Sequence, residues 1–256
     1  MGSEAITTRE AITCFPTLSD ASAMADFPAV RERERDALLH AVALRPGMRV
    51  LDIQAAGGYL SDAVYRQLRG RVDCLCVEPC PQLRARLSPH YQVFADPVDN
   101  LTSIATASVD AVLGLAGLHH SASHDRTLEE SVRVLKPGGE FAVCDVELDS
   151  PVARWLNEFV HRYSPAGHQG QFLRFGYLRQ KCAQLGLRRV WEERKNVPWV
   201  FDREADVAPF IKGLFGLTGL SDEALAAGIH HYLKPAAHHG QVWLDWQLIY
   251  AYGRKS

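Results

Sequence analysis

From Arg49 to Glu147 the chain alternates short apolar runs with amphipathic segments, and no other feature restricts its fold as much. RVLDIQA (49–55), VDCLCVE (72–78), YQVFAD (91–96), VDAVLGLA (109–116) and EFAVCDVE (140–147) have the length of strands. Between them, Tyr59–Leu68, PQLRARLS (81–88) and DRTLEESVRVL (125–135) read as helices, and KPGG (136–139) turns the chain into the fifth strand. Short apolar runs joined by helices predict βαβ units and a parallel sheet covered on both faces. A helix over Val30–Leu44, stopped by Arg45–Gly47, precedes the first strand, and residues 1–29 read as an arm or lid.

After Glu147 the rhythm changes. PVARWLNEFVHRY (151–163) and QFLRFGYLRQKCAQLGL (171–187) read as helices, the second stopped by Gly186. RRVWEERKNVPWVF (188–201) and GQVWLDWQLIYAYGRK (240–255) read as two strands, with two or three short helices between them. Ser221 is the expected N-cap of one of these, with Asp222 and Glu223 in its first turn. The segments at about 151–172 and 203–236 are expected to cap the carboxyl edge of the sheet within one domain, 30–256.

In a parallel sheet of this kind, ligands sit at the carboxyl ends of the strands. The stretch from Asp52 to Gly58 lies there. Its small residues let the backbone approach a ligand, and Gly57 and Gly58 can take conformations closed to other residues. Glu78 follows Gly58 by 20 residues, the interval at which an acid typically holds ribose hydroxyls, and a carboxylate can accept from both of them.

VLDIQAAGGYLS, CVEP, FADP, SVDAVLGLAGLHH and ESVRVLKPGGEFAVCDVE, in that order, resemble the class I S-adenosylmethionine-dependent methyltransferases, in the branch that acts on small molecules. The likeness runs over about 30–147, and the last two strands resemble that family's antiparallel hairpin. It implies an α/β fold: a Rossmann-like seven-stranded mixed sheet, its last strand antiparallel, sandwiched by helices with helical cap insertions. It also implies that Asp52 faces the methionine amino end or orients the loop. Gln54, Ala55, Ala56 and Gly58 would line the methionine part. Glu78 would hold the ribose, Pro79 would lie near the adenine, and Asp96 would meet the adenine amino group with Pro97 beside it. Leu115 and Ala116 would line the cofactor near its methionine end. The family has glycine where this chain has Gln54 and Ala56, so Gln54 must either turn away or offer a hydrogen bond in place of bare backbone.

Methyl transfer from a sulfonium mainly needs two atoms held in line. A base is needed only where the acceptor must lose a proton. His120, or else His119, just after the fourth strand, is the expected base. The later histidines are His161, His168, His230, His231, His238 and His239. Neighbouring histidines on a helix point about 100° apart, and neither adjacent pair has the i, i+4 spacing of a helical metal site, so no metal is expected. With Trp155, Tyr163, Phe172, Phe175, Trp199 and Phe215, some of these histidines either line a pocket for a flat, apolar acceptor or hold the cap to the sheet.

Composition narrows the rest. With 256 residues, 47% hydrophobic, 23% charged and a net charge of −2, the chain reads as globular, without a nucleic-acid-binding surface. No apolar run approaches the roughly 20 residues of a membrane span. Of the six cysteines, Cys74, Cys76 and Cys144 sit in apolar strands and read as reduced core thiols, and C-x-C-x3-C over Cys74, Cys76 and Cys80 matches no zinc pattern. Reduced thiols point to the cytoplasm. The expected activity is S-adenosylmethionine-dependent methylation, at O, C or N, of a small organic acceptor, aromatic ones among the candidates. The alternatives are a relative that binds the cofactor without transferring methyl (a cyclase, lyase or regulator) and a scaffold that has lost the ligand. Oligomeric state is not legible.

Overall fold

The computed structural model describes residues 22–256. Most of the arm expected at 1–29, and Cys14, lie outside them. The short helix α1 (Ser22–Asp26) and α2 (Glu32–Leu39) lead into β1 (Arg49–Ile53), α3 (Tyr59–Gln67), β2 (Asp73–Val77), α4 (Pro81–Arg84), β3 (Gln92–Phe94), β4 (Val109–Leu115), α5 (His124–Val134) and β5 (Leu135–Asp145). Next, α6 (Pro151–Arg154) continues through a wider π-helical stretch, Trp155–Val160, into α7 (His161–Tyr163). The chain ends with α8 (Tyr177–Gln184), β6 (Leu187–Asn196), β7 (Trp199–Phe201), α9 (Val207–Phe215), α10 (Asp222–Leu233), β8 (Ala236–His238), β9 (Gln241–Leu244) and β10 (Gln247–Lys255).

The main sheet has seven strands in the order β3-β2-β1-β4-β5-β10-β6. Its first five strands pair in parallel, and β10 runs antiparallel to both β5 and β6. Strand order reverses at β1 and β4, which places a crevice at their carboxyl ends. One face of the sheet packs on α5, α8 and the 98–104 loop. The other packs on α2, α3 and the cap, with Trp155, Trp199 and Phe210 at its centre.

Four local readings change. KPGG is no turn into β5 but a bulge within it: Val109 pairs with Leu135 and Ala111 with Glu140, so residues 136–139 stand opposite Asp110 alone. The helix read from Gln171 begins only at Tyr177, because Gly176 takes φ 95° and the chain before it is tied to the end of β5. The helix read over Val30–Leu44 forms only at Glu32–Leu39. Finally, each of the two C-terminal strands divides. Pro198 cannot donate to a ladder, and the two breaks face each other, with Val197 N–H donating to Trp246 O at 2.7 Å. Beyond the breaks, β7, β9 and β8 make a separate three-stranded sheet in the cap.

Cap and sheet are tied by Glu34 of α2, which is fully buried. Its carboxylate accepts from the Arg31 guanidinium and, at 2.8 Å, from Trp199 Nε1, while its backbone carbonyl accepts from the Tyr250 hydroxyl at 2.9 Å.

Candidate active site

The loop after β1 keeps a glycine-shaped backbone without all the glycines. Gln54 has φ 61°, Ala56 φ 46°, Gly57 φ 84° and Gly58 φ 101°. Left-handed backbone costs a non-glycine residue about 1–2 kcal/mol, so the surrounding contacts must hold Gln54 and Ala56 in place. They do: Ala55 N–H donates to Val77 O at 3.0 Å and Gly58 N–H to Ala55 O at 2.7 Å. Ala56 N–H donates to Glu78 Oε2 at 2.8 Å, and Cys80 N–H to Glu78 Oε1 at 2.9 Å. Glu78 is 2% exposed. Burial raises its pKa, opposed by those two backbone donors and by Arg84. Each carboxylate oxygen keeps a lone pair for a hydroxyl.

Asp52 accepts from Ser61 Oγ at 2.7 Å and so ties β1 to the start of α3. Gln54, 8% exposed, lays its amide against Gly117, where an added Cβ would lie 2.6 Å from Oε1, and Oε1 has no partner. Leu115 ends β4, and the half-buried Ala116 follows it with φ 51°. Asp96 accepts from Thr102 Oγ1 at 3.2 Å and from Ser103 Oγ at 3.0 Å, beside the exposed Pro97, and Pro79 stands half-buried next to Glu78.

Burial pushes the Asp52 carboxyl up to about 7, assisted by Glu78 and Asp62 and opposed by Ser61. The unfolded value is about 3.9. The fold therefore binds the extra proton between these values, and the corresponding stability is fully present below about pH 4 and lost as pH rises through about 7. Asp52→Asn is expected to raise stability at pH 8 by up to about 4 kcal/mol, three units at 1.36 kcal/mol each, and to change it little at pH 4. Urea unfolding at the two pH values checks this.

Sequence reasoning missed Arg31, whose charged helix looks like a solvated face. It is buried, its guanidinium lies 5.8 Å from the Tyr59 ring and 5.6 Å from the Trp199 ring, and its Nε has no partner. A hollow of about 40 Å³ opens between Arg31, Ala116, His119, His168, Trp199 and Trp246. Trp199 and Trp246 stack with centroids 3.8 Å apart, and Trp246 Nε1 is another buried donor without a partner.

His119 stands in the 3-10 turn Leu118–His120 that follows β4, with its Nδ1 2.6 Å from Asp145 Oδ1. Asp145 also accepts the backbone N–H of His119 and of Val146, so the His119 proton sits on Nδ1 and Nε2 carries the lone pair. His168 is 2.8 Å from Asn157 Oδ1, which already accepts Gly170 N–H, so His168 Nδ1 is likewise the donor. The rings of His119 and His120 lie 4.1 Å apart and those of His120 and His168 5.0 Å apart. Burial, then His119 and His168, hold the His120 pKa well below the usual value, and burial lowers His168 to about 3. His119 and His168 line the hollow. Asp145, an acid at the carboxyl end of a strand, was findable in VCDVE. Asn157 was not, since only the fold brings it to His168. His230, His231, His238 and His239 are exposed, as is Phe175 at 40%. The five described cysteines are free and buried.

Residues 51–143 match the family model described as Methyltransferase domain. Bacillus subtilis YcgJ is similar over 88% of this chain and 99% of its own, at 16% identity and a TM-score of 0.59. The Haloferax volcanii complex of the Trm112 methyltransferase activator offers a chain similar at 17% identity and a TM-score of 0.62, over 92% of this chain and 95% of that one. Haemonchus contortus phosphoethanolamine N-methyltransferase 2, solved with phosphomonomethylethanolamine and S-adenosylhomocysteine, is similar at 14% identity and a TM-score of 0.60, covering 86% of this chain and 52% of that one. At these identities the solved structures establish the fold. Together with the matched segment they define a Rossmann-like methyltransferase architecture. The matched segment is similar to a methyltransferase domain of the type 11 kind, whose cofactor is S-adenosylmethionine.

The residues present suit that cofactor. Its amino-acid end brings a carboxylate and an ammonium. On either side of Ala116–Gly117 stand a buried donor without a partner, Arg31 Nε, and a buried acceptor without one, Gln54 Oε1. The spare lone pairs of Glu78 suit two donors such as those of a ribose diol. The hollow at Arg31 and Ala116 is too small for the whole cofactor, so binding requires this edge to open.

Proposed function

We propose that the chain transfers the methyl group of S-adenosylmethionine to an O, C or N atom of a small organic acceptor held in the hollow between His119, His168, Trp199 and Trp246. The position of His119 carries this reading. It follows β4 directly and lines the hollow next to Ala116, and Asp145 holds its proton on Nδ1. The bound cofactor supplies an electrophilic methyl group. Glu78 holds the ribose, while Arg31 and Gln54 hold the amino-acid end. Asp52 braces the loop through Ser61. Stacked Trp199 and Trp246 offer a flat apolar wall with one free N–H, which favours a planar acceptor bearing one polar group. Where that group must lose a proton, the bare ring nitrogens of His119 and His168 meet it. His119, tied to Asp145 and lining the hollow, is better placed for this than His120. The five buried thiols support a cytoplasmic setting, and among the described residues no helix is long and apolar enough to cross a membrane.

Methyl-labelled cofactor incubated with phenols, carboxylates and amines tests the reading. Label is expected in at least one class. His119→Gln should lower kcat by about 10²–10⁴ while the affinity for S-adenosylhomocysteine stays within about threefold. A protein that binds the product cofactor yet labels no class, or a His119→Gln variant with full kcat on a proton-losing acceptor, contradicts it.

A further inference from the structure

We infer that His119, His120 and His168 form a binding site for one divalent transition metal ion of the zinc class. One ring nitrogen from each of the three lies within 4.8 Å of the others. The tautomers derived above leave Nε2 of His119 and Nε2 of His168 as lone pairs. Among the described residues, nothing donates a hydrogen bond to either atom or to the His120 ring. The two bare lone pairs and the half-buried third ring lie close enough for one ion to join all three. Zinc–nitrogen bonds of about 2.0–2.1 Å place tetrahedral ligand atoms roughly 3.3 Å apart, so modest ring rotations close the site.

The support behind the rings is that of a built metal centre. A ligating histidine commonly donates its other N–H to a carboxylate or carbonyl, which fixes tautomer and orientation. Asp145 does this for His119, and Asn157 for His168. Asn157 comes from the π-helical stretch, and such wide turns are frequent at functional sites. Asn157 also clamps the loop that carries His168, through Gly170 N–H at 2.8 Å and Gly170 O at 2.9 Å. That loop passes so near His119 that a Cβ at Gly170 would lie 2.9 Å from its ring and 2.7 Å from Phe172.

Three protein ligands leave one position open, the pattern of catalytic rather than structural zinc. Because His119 and His168 line the hollow, the open position borders it and suits an anionic oxygen or sulfur; with the ion bound their lone pairs are engaged, and the ion, instead of His119 as base, favours the deprotonated acceptor. That this atom belongs to the methyl acceptor rests on the function proposed above; the metal site itself does not.

Tag-free, metal-stripped protein titrated with cobalt(II), then with zinc, tests the site in the absence of cofactor and acceptor. One equivalent of cobalt should give the visible absorption of a four-coordinate ion, displaced by one equivalent of zinc. His168→Phe and His120→Phe should each weaken zinc binding at least 100-fold, and Asn157→Leu roughly 10–100-fold. His231→Phe, on an exposed pair in α10, should change nothing. Circular dichroism checks each variant's fold, and the wild-type titration decides the matter even if one fails. A wild type with no four-coordinate cobalt spectrum and zinc binding weaker than roughly 100 µM overturns the proposal. So does zinc binding that follows His231 and ignores His168. Metal binding without methyl transfer would fault the proposed function alone, and methyl transfer without metal binding would fault this site alone.

Discussion

Glu34→Ala is expected to cost the protein about 3–5 kcal/mol of stability, read as a lower urea midpoint with an unchanged slope. Glu34 has no exposed surface, and its carboxylate is the anionic partner of a buried guanidinium. Truncating it strands the Arg31 charge among Met24, Tyr59 and Trp199 and leaves the Trp199 N–H unpaired. The cost is that of an uncompensated buried charge rather than of one lost bond. A second variant separates the two. Replacing the pair together, Arg31→Met with Glu34→Leu, should recover most of the loss, because well-packed apolar substitutes for a buried ion pair are often neutral. That double variant should still bind S-adenosylhomocysteine at least tenfold more weakly, since Arg31 Nε is the buried donor beside the cofactor's expected amino-acid end. Full stability in Glu34→Ala, or full affinity in the stable double variant, contradicts these roles.

Glu78→Ala is expected to weaken S-adenosylhomocysteine binding at least 100-fold, about 3 kcal/mol. Two effects combine. The ribose loses its carboxylate, and Ala56 and Cys80 lose the acceptor that holds their N–H groups. Without that clamp, less of the left-handed strain at Ala56 is offset, so the loop relaxes away from its cofactor-ready shape. Glu78→Gln, which keeps one acceptor oxygen, should fall between wild type and Ala. Calorimetry on the three proteins checks this, with unfolding curves to confirm that each is folded. Unchanged affinity in Glu78→Ala would mean that the ribose is held elsewhere.

The parallel half of the sheet was legible because its evidence is local: apolar runs of strand length, a glycine pair, and an acid at a fixed interval. The Ser221 cap, whose Oγ accepts Ala224 N–H at 3.2 Å, came through for the same reason, while the seven-stranded sheet with its antiparallel last strand followed from the family resemblance. The cap did not. The strands read at 188–201 and 240–255 look continuous in pattern. Only the bond between Val197 and Trp246 shows that both leave the main sheet together. The histidine chemistry was half legible. Spacing along the chain argued against metal for each adjacent pair, and His230–His231 and His238–His239 stay exposed. What spacing could not show is a 48-residue separation closed by folding, from His120 to His168, through an asparagine with no recognisable motif. Gln54 and Ala56 carry a further lesson. The sequence departs from glycine there, yet the backbone keeps the angles glycine would take.

The central claim is that the loop after β1 and the acid after β2 hold S-adenosylmethionine despite Gln54. Isothermal titration of the wild-type protein with S-adenosylhomocysteine tests it most directly. One molecule bound per chain with micromolar or tighter affinity is the predicted result. No detectable heat across several temperatures, with the protein folded throughout, would contradict it and leave Gln54 as the stopper of an empty crevice.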